Sequence, residues 1–333
     1  MIISSKVPRN YANLPLLKYL SKRFTYNDEE RWKEHIEQQR ILHNNLPSIA
    51  YNKVKTDDIV SFYIDDVSEP DADLNYRIFY EDDYILGIDK PGNLLVHRNG
   101  RSFRNNLIFQ LRFMHQPNIY RDATVVHRLD RETSGVLIIA KSEKVKYAMQ
   151  HAWKSGKMYK QYICIAYNTP QNQCFMVKAP IGRSPTSLIS YKQAIRGLSC
   201  KEASTKFTVL SKSANKNFSL IKAEPTTGRT HQLRVHLASI GCPIAGDKLY
   251  SLPEEDYIEW REHPKEYKLP LINRQALHCR VMSFPHPYTG ETVSLQAPVH
   301  SDIMELIKEL GLYRDNLPEL SRDPNPILSA AAE

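Results

Sequence analysis

The chain has no Cys-x-x-Cys pair, no long uncharged apolar run and no glycine-rich nucleotide-binding loop, and each absence closes off a class of protein. Its five cysteines (Cys164, Cys174, Cys200, Cys242, Cys279) are scattered and odd in number. Reduced thiols in a cytosol-like compartment are therefore expected, rather than a disulfide framework or a zinc site. Nothing reads as a membrane span or as the apolar region of a secretory leader. The first 27 residues hold no acid and five bases (Lys6, Arg9, Lys18, Lys22, Arg23). A transit peptide fits that charge pattern, but Pro8 and Pro15 interrupt any long amphipathic helix, which favours an ordered basic start to a first domain.

What is present is a chain of 333 residues, 41% hydrophobic, long enough for two domains. Lys plus Arg exceed Asp plus Glu by 45 to 37, a net charge of +8 that suits a polyanionic partner without demanding one. Leu14, Leu17, Leu20 and Phe24 form one helical stripe, and Trp32, Ile36 and Gln39 a second. A turn and strand follow over residues 51–64. The stretch from Asp65 to Asp73 is acidic, contains Pro70 and has little to bury, so the boundary is placed at 68–75, between a first domain over 1–67 and a second over 76–313. Three prolines and a terminal Ala-Ala-Ala-Glu predict a mobile tail over 314–333.

The second domain is organised around Val125–Ala140. Two short β-branched runs read as buried strands flanking a hydrophilic turn, with Asp130 set between Arg128 and Arg131. Thr133-Ser134-Gly135 is the expected turn, Gly135 supplying the unusual backbone conformation. Neighbouring cations should keep Asp130 ionised. Ser142 can cap a helix whose apolar positions Val145, Ala148, Met149, Ala152 and Trp153 share one face. Residues 160–167 alternate as a strand, and Leu233, Leu237 and Ile240 share a helical face that ends at Gly241. His231 and His236 are five apart, which does not put two ligands on one helix face, so they read as satisfied helix histidines.

The nine residues His127-Arg128-Leu129-Asp130-Arg131-Glu132-Thr133-Ser134-Gly135 resemble the signature of the RluA-type RNA pseudouridine synthases. Three further blocks are similar: residues 78–97 with Lys90-Pro91-Gly92 (two strands, ending at Lys90 and at Val96-His97), Lys160-Gln161-Tyr162, and 226–247 containing Thr227-Gly228-Arg229-Thr230-His231-Gln232-Leu233-Arg234. The resemblance implies an α+β fold with a mixed, mainly antiparallel sheet, and helix-helix-strand over 13–67 resembles an S4-type RNA-binding module. It implies an isomerase that turns uridine into pseudouridine in ribosomal or transfer RNA, with no cofactor and no metal, working as a cytoplasmic monomer.

By that resemblance Asp130 is the catalytic carboxylate, as nucleophile or as base. Tyr162 stacks on the base, Leu233 closes over it, and Arg128 fills the gap left by a flipped nucleotide. An arginine pairs with Asp130; Arg229, placed at a helix start, is favoured for this over Arg234, which is left as a structural or phosphate contact. Arg98, Arg101 and Arg104 are candidate phosphate contacts, and Lys90 is read as structural. The competing readings are a non-catalytic RNA-binding or assembly factor that retains the fold, and a hydrolase using Asp130, which lacks a second placed carboxylate.

Overall fold

The computed structural model describes residues 2–25, 27–63, 69–100, 102–215, 217–263 and 271–321. The chain divides into two compact units, Met1–Asp71 with His97–Gln110, and Ala72–Val96 with Leu111–Glu333.

The first unit runs β1 (Ile2–Lys6), α1 (Leu16–Arg23), α2 (Glu29–Glu37), β2 (Ile41–His43), β3 (Leu46–Pro47) and β4 (Ile59–Tyr63), with an antiparallel sheet in the order β1-β4-β2-β3. α2 starts where Asp28 accepts the Arg31 N–H at 2.7 Å, and Glu29 and Glu30 complement the positive end of the helix. Leu16, Tyr19, Leu20, Trp32 and Ile36 cover Val60 and Phe62. A later segment completes this core. Phe103 packs edge-on against Phe62 with ring centroids 5.6 Å apart, just before the short helix α3 (Leu107–Phe109). A second domain running unbroken from residue 76 is therefore corrected: residues 97–110 return to the first unit, because that is where their aromatic anchor is buried.

The second unit opens with β5 (Arg77–Glu81), β6 (Ile85–Lys90), β7 (Thr124–Val125), β8 (Ser134–Ala140), α4 (Glu143–Lys154), β9 (Tyr159–Tyr167) and β10 (Cys174–Lys178). A three-stranded sheet of β11 (Ile181–Arg183), β12 (Gln193–Ile195) and β13 (Leu198–Lys201) comes next. The unit closes with β14 (Ser204–Lys212), β15 (Phe218–Pro225), α5 (Gln232–Ser239), α6 (Lys248–Ser251), α7 (Glu254–Glu262), β16 (Leu277–Pro285), β17 (Thr292–Gln296) and α8 (Ser301–Glu309). Its large sheet has the order β10-β14-β15-β9-β16-β8-β6-β5, with β17 on β16 and β7 on β8. Among the described residues only β16 and β8 pair in parallel, through His278–Ser134 and Cys279–Gly135. The architecture is α+β and mainly antiparallel.

β8 is buried at all seven positions, as an apolar run covered on both faces should be. Gly135 lies inside it, at φ +103°, and a Cβ there would collide with the Cys279 carbonyl across the parallel pair. The turn expected at Thr133–Gly135 thus sits earlier, over Asp130–Thr133, closed by the Thr133 N–H on the Asp130 carbonyl at 3.2 Å. The strand expected to end at Val96-His97 does not form. Asn93 turns the backbone left-handed (φ 57°), and the Leu94 N–H is spent on the Arg131 carbonyl at 3.1 Å.

Part of the expected tail is docked. A 3-10 turn over Pro318–Leu320 buries Leu320, and Arg280 donates to the carbonyls of Glu319 (3.0 Å) and Ser321 (3.2 Å). Residues 322–333 of that tail lie outside the described residues.

Candidate active site

Asp130 is carried by a turn fastened from several sides. The Lys90 ammonium, fully buried, donates to the carbonyls of Pro91 (2.7 Å), Leu94 (2.9 Å) and Arg131 (3.1 Å). Burial and the Arg274 charge press its pKa down to about 7, but three carbonyls taking three protons keep it an ammonium. Lys90 is structural, as its place at a strand end suggests. Glu132 accepts from Lys248 at 2.6 Å and from the Gln275 N–H at 3.1 Å, while Gln275 also donates to the Thr133 hydroxyl. The carboxylate of Asp130 is thus presented by a backbone with little freedom, and its side chain keeps 21% of its surface open.

The partner of Asp130 is Arg234, Nη1 to Oδ2 at 2.9 Å. The expectation that Arg229 fills this place is corrected. α5 begins only at Gln232, its N-cap is His231 in a left-handed conformation (φ 56°), and Arg229 stands three residues outside the helix, donating Nε to the Glu202 carbonyl at 2.9 Å. Arg234, one turn inside, points back toward the turn. Its Nε and Nη2 grip Asp247 at 2.7 and 2.8 Å, and its guanidinium lies over the Tyr250 ring, 5.0 Å from the centroid. Held between two carboxylates and buried, Arg234 is not an outward phosphate contact either.

Burial alone would raise the Asp130 carboxyl, yet surrounding charge holds it below the ordinary carboxylate value. His231 stands 3.9 Å from it. Burial pulls this imidazole down to about 4, so it is neutral at pH 7 and the standing counter-charge is Arg234. The Tyr250 hydroxyl receives the Gln193 N–H at 3.0 Å and meets His231 Nδ1 at 2.9 Å. With the Tyr250 proton on Nδ1, the imidazole N–H is Nε2–H, on the side of the carboxylate. His236, by contrast, spends both ring nitrogens, on the Thr205 hydroxyl (3.0 Å) and the Ala179 carbonyl (3.2 Å).

Asp130 opens onto a cavity of about 450 Å³, within the usual range for a small-molecule pocket. Tyr162 and Leu233, both buried, form apolar walls, and Arg128, Arg229, Lys160 and Trp153 are among the other lining residues. Burial and the adjacent Cys279 thiol raise the Tyr162 phenol well above its usual value, so it is never a phenolate here. Arg128 is exposed at the rim, and among the described residues its guanidinium has no hydrogen-bond or ion-pair partner. Of the candidate phosphate contacts, Arg98 and Arg104 lie in the first unit. Arg98 stacks on Phe103 at 4.3 Å, Arg104 pairs through Nε with Glu69 at 3.0 Å, and Arg101 lies outside the described residues. For Arg104 the ion pair and the two N–H bonds to Glu69 from Arg104 and Asn105 make a loop clasp rather than a free phosphate contact.

Sequence reasoning missed Asp247, Tyr250 and Gln232. Gln232 ties the loop before α5, accepting from the Thr227 hydroxyl (2.7 Å) and the Arg229 N–H (3.0 Å) and donating to Ser204 and Thr205. Asp247 carried a signal, a lone acid directly after a glycine at the end of the block over 226–247.

Residues 84–239 match the family model described as RNA pseudouridylate synthase. The chain is 29% identical over 325 residues to ribosomal large subunit pseudouridine synthase D of Nitrosomonas europaea, covering 96% of this chain and 90% of that protein. It is 32% identical over 256 residues to ribosomal large subunit pseudouridine synthase D of Xanthomonas campestris pv. campestris, covering 75% and 74%. Among solved structures, the human RNA Pseudouridylate Synthase Domain Containing 4 is similar with a TM-score of 0.56 and 25% identity, over 72% of this chain and 94% of that one. With its aspartate, cavity and sheet already in place, this chain belongs to the RNA pseudouridylate synthase family.

Proposed function

We propose that this protein isomerises a uridine of ribosomal RNA to pseudouridine, using Asp130 as its one catalytic carboxylate. The observation that carries the reading is the ionised, arginine-held Asp130 at the wall of a base-sized cavity whose apolar sides are Tyr162 and Leu233. The reaction balances within the substrate. The bond from N1 to the ribose C1′ breaks, a bond from C5 to C1′ forms, and the proton leaving C5 is matched by one taken up at N1. A carboxylate fixed in one rotamer can bond to the ribose or accept the proton. Tyr162 and Leu233 keep the detached ring in place while it turns.

A stacked uridine must first be swung out, at a cost of a few kcal/mol. Arg128, at the rim and unpaired among the described residues, suits the role of wedge in the vacated space. The first unit, with two helices leading to a strand and bases along α1, suits an S4-like contact to the same RNA. The choice of ribosomal RNA follows the names of the relatives, free cysteines fit a cytoplasmic compartment, and we place the protein there as a monomer. Among the described residues no helix is long and apolar enough to cross a membrane. A pseudouridine map of total RNA from cells with and without the gene tests this. One ribosomal position should lose its pseudouridine; a change confined to transfer RNA would redirect the substrate, and an unchanged map would remove the activity.

A further inference from the structure

Three hydrogen-bond donors, Lys160, Trp153 and Arg229, line the cavity together. Lys160 is buried at the start of β9, and among the described residues its ammonium has one acceptor, the Thr227 carbonyl at 2.9 Å, and the face of Trp153 at 4.9 Å. The Trp153 indole is fixed by stacking on His127, centroids 4.8 Å apart, and its Nε1–H has no acceptor among the described residues. Arg229 spends Nε on Glu202 and has no acceptor for its terminal nitrogens among the described residues. Between them lies Gly228. A Cβ built there would stand 3.7 Å from both Lys160 Nζ and Trp153 Nε1, so the two donors lie side by side against this glycine. Burial brings Lys160 down to about 8; the Arg229 charge adds to the effect, and no carboxylate is among the groups that act on it.

We propose that Lys160, Trp153 and Arg229 form a subsite for a phosphate group of the flipped nucleotide, in the cavity that Asp130 also lines. The inference rests on the uridine-isomerase reading. Where cationic donors cluster an anion is favoured, and a phosphodiester supplies the acceptors that these donors lack. Fixing the backbone on one side of the cavity and the base between Tyr162 and Leu233 leaves the ribose C1′ facing Asp130. Arg229, which the helix-start argument assigned to the aspartate, thus has a different anion to meet.

The test follows the three indole N–H signals of the full chain, labelled at tryptophan, during titration with uridine 5′-monophosphate, uridine 3′-monophosphate, inorganic phosphate and uridine. Trp153→Phe assigns the signal of interest and keeps the ring that Lys160 and His127 need. The Trp153 signal should move with at least one phosphate-bearing probe, not with uridine, while those of Trp32 and Trp260 stay still. In Lys160→Met the response should fall about tenfold in apparent affinity, and in Arg229→Gln by a smaller factor. A parallel measurement of pseudouridine formation should show KM raised in both variants, with the slope of log(kcat/KM) against log salt reduced by about one. A Trp153 signal unmoved by every phosphate probe, or moved equally by uridine, overturns the subsite. An inactive wild-type chain would count against the isomerase reading alone, because the titration needs no turnover. Arg229→Gln, on a half-exposed loop, keeps the test available if Lys160→Met does not fold.

Discussion

Replacing Asp247 by asparagine tests how the working carboxylate is held, since Asp247 has no surface in the cavity. The residue is fully buried. Its Oδ2 takes Arg234 Nε at 2.7 Å, and its Oδ1 takes Nη2 at 2.8 Å together with the N–H groups of Leu249 (3.1 Å) and Tyr250 (3.3 Å). An asparagine that keeps its oxygen at the crowded position turns an amide N–H toward the Arg234 N–H; the flipped amide turns its donors on three. Either way Arg234 loses half its fork and one of two counter-charges. Removing one partner of a buried pair costs about 3 to 5 kcal/mol, and because Asp130 remains as counter-charge the lower figure, about 3 kcal/mol, is expected. The arginine, with Asp130 its one remaining counter-charge and half its fork gone, no longer fixes the rotamer of that carboxylate. If one orientation in about ten stays productive, kcat falls about tenfold, or about 1.4 kcal/mol of barrier, with KM little changed. Urea unfolding gives the first number and single-turnover pseudouridine formation the second. A variant with wild-type stability and wild-type kcat would show that Arg234 needs no second carboxylate.

Two further outcomes follow from buried histidines and from the rim. Burial holds His231 at about 4 and His127 at about 3, below the ordinary 6.5, so between those values and 6.5 the unfolded chain binds protons that the native state does not. Stability therefore falls with pH through that window, by about 2 kcal/mol for each histidine at pH 5. Unfolding midpoints at pH 7 and pH 5 check this, and His127→Asn should flatten the dependence; a midpoint indifferent to pH would contradict it. Arg128→Ala should lower turnover more on a structured RNA than on a loosely stacked strand carrying the same uridine. Equal losses on the two substrates would remove the wedge.

The chemistry was legible in the chain where residues adjacent in sequence do the work together. The run from His127 to Ala140 shows a buried strand, a polar turn and an aspartate among cations, and the Ser142 cap marks α4 to the residue. Legibility failed where a backbone conformation decides. Arg229 and Arg234 are equally plausible partners until His231 is seen to take the left-handed conformation that delays α5 to Gln232 and turns Arg234 inward. Gly135 reads as a turn residue, but its positive φ serves a close approach of two strands instead. Long-range closure was hidden too. Nothing next to Phe103 says that its ring completes a core begun far earlier in the chain, and the prolines after Tyr313 conceal Leu320, which is buried and docks the segment. Asp247 was visible as a residue and not as a partner, because its role exists only once Arg234 is placed.

The most direct measurement is the pseudouridine yield of Asp130→Asn in the full chain, by nucleoside chromatography of RNA taken from cells lacking the gene. Asparagine preserves the shape at the cavity and leaves Arg234 its pair with Asp247, so the variant should fold and bind RNA like the parent. No pseudouridine above background is the result this account predicts. Sustained formation at a rate near that of the parent would mean that another group does the chemistry.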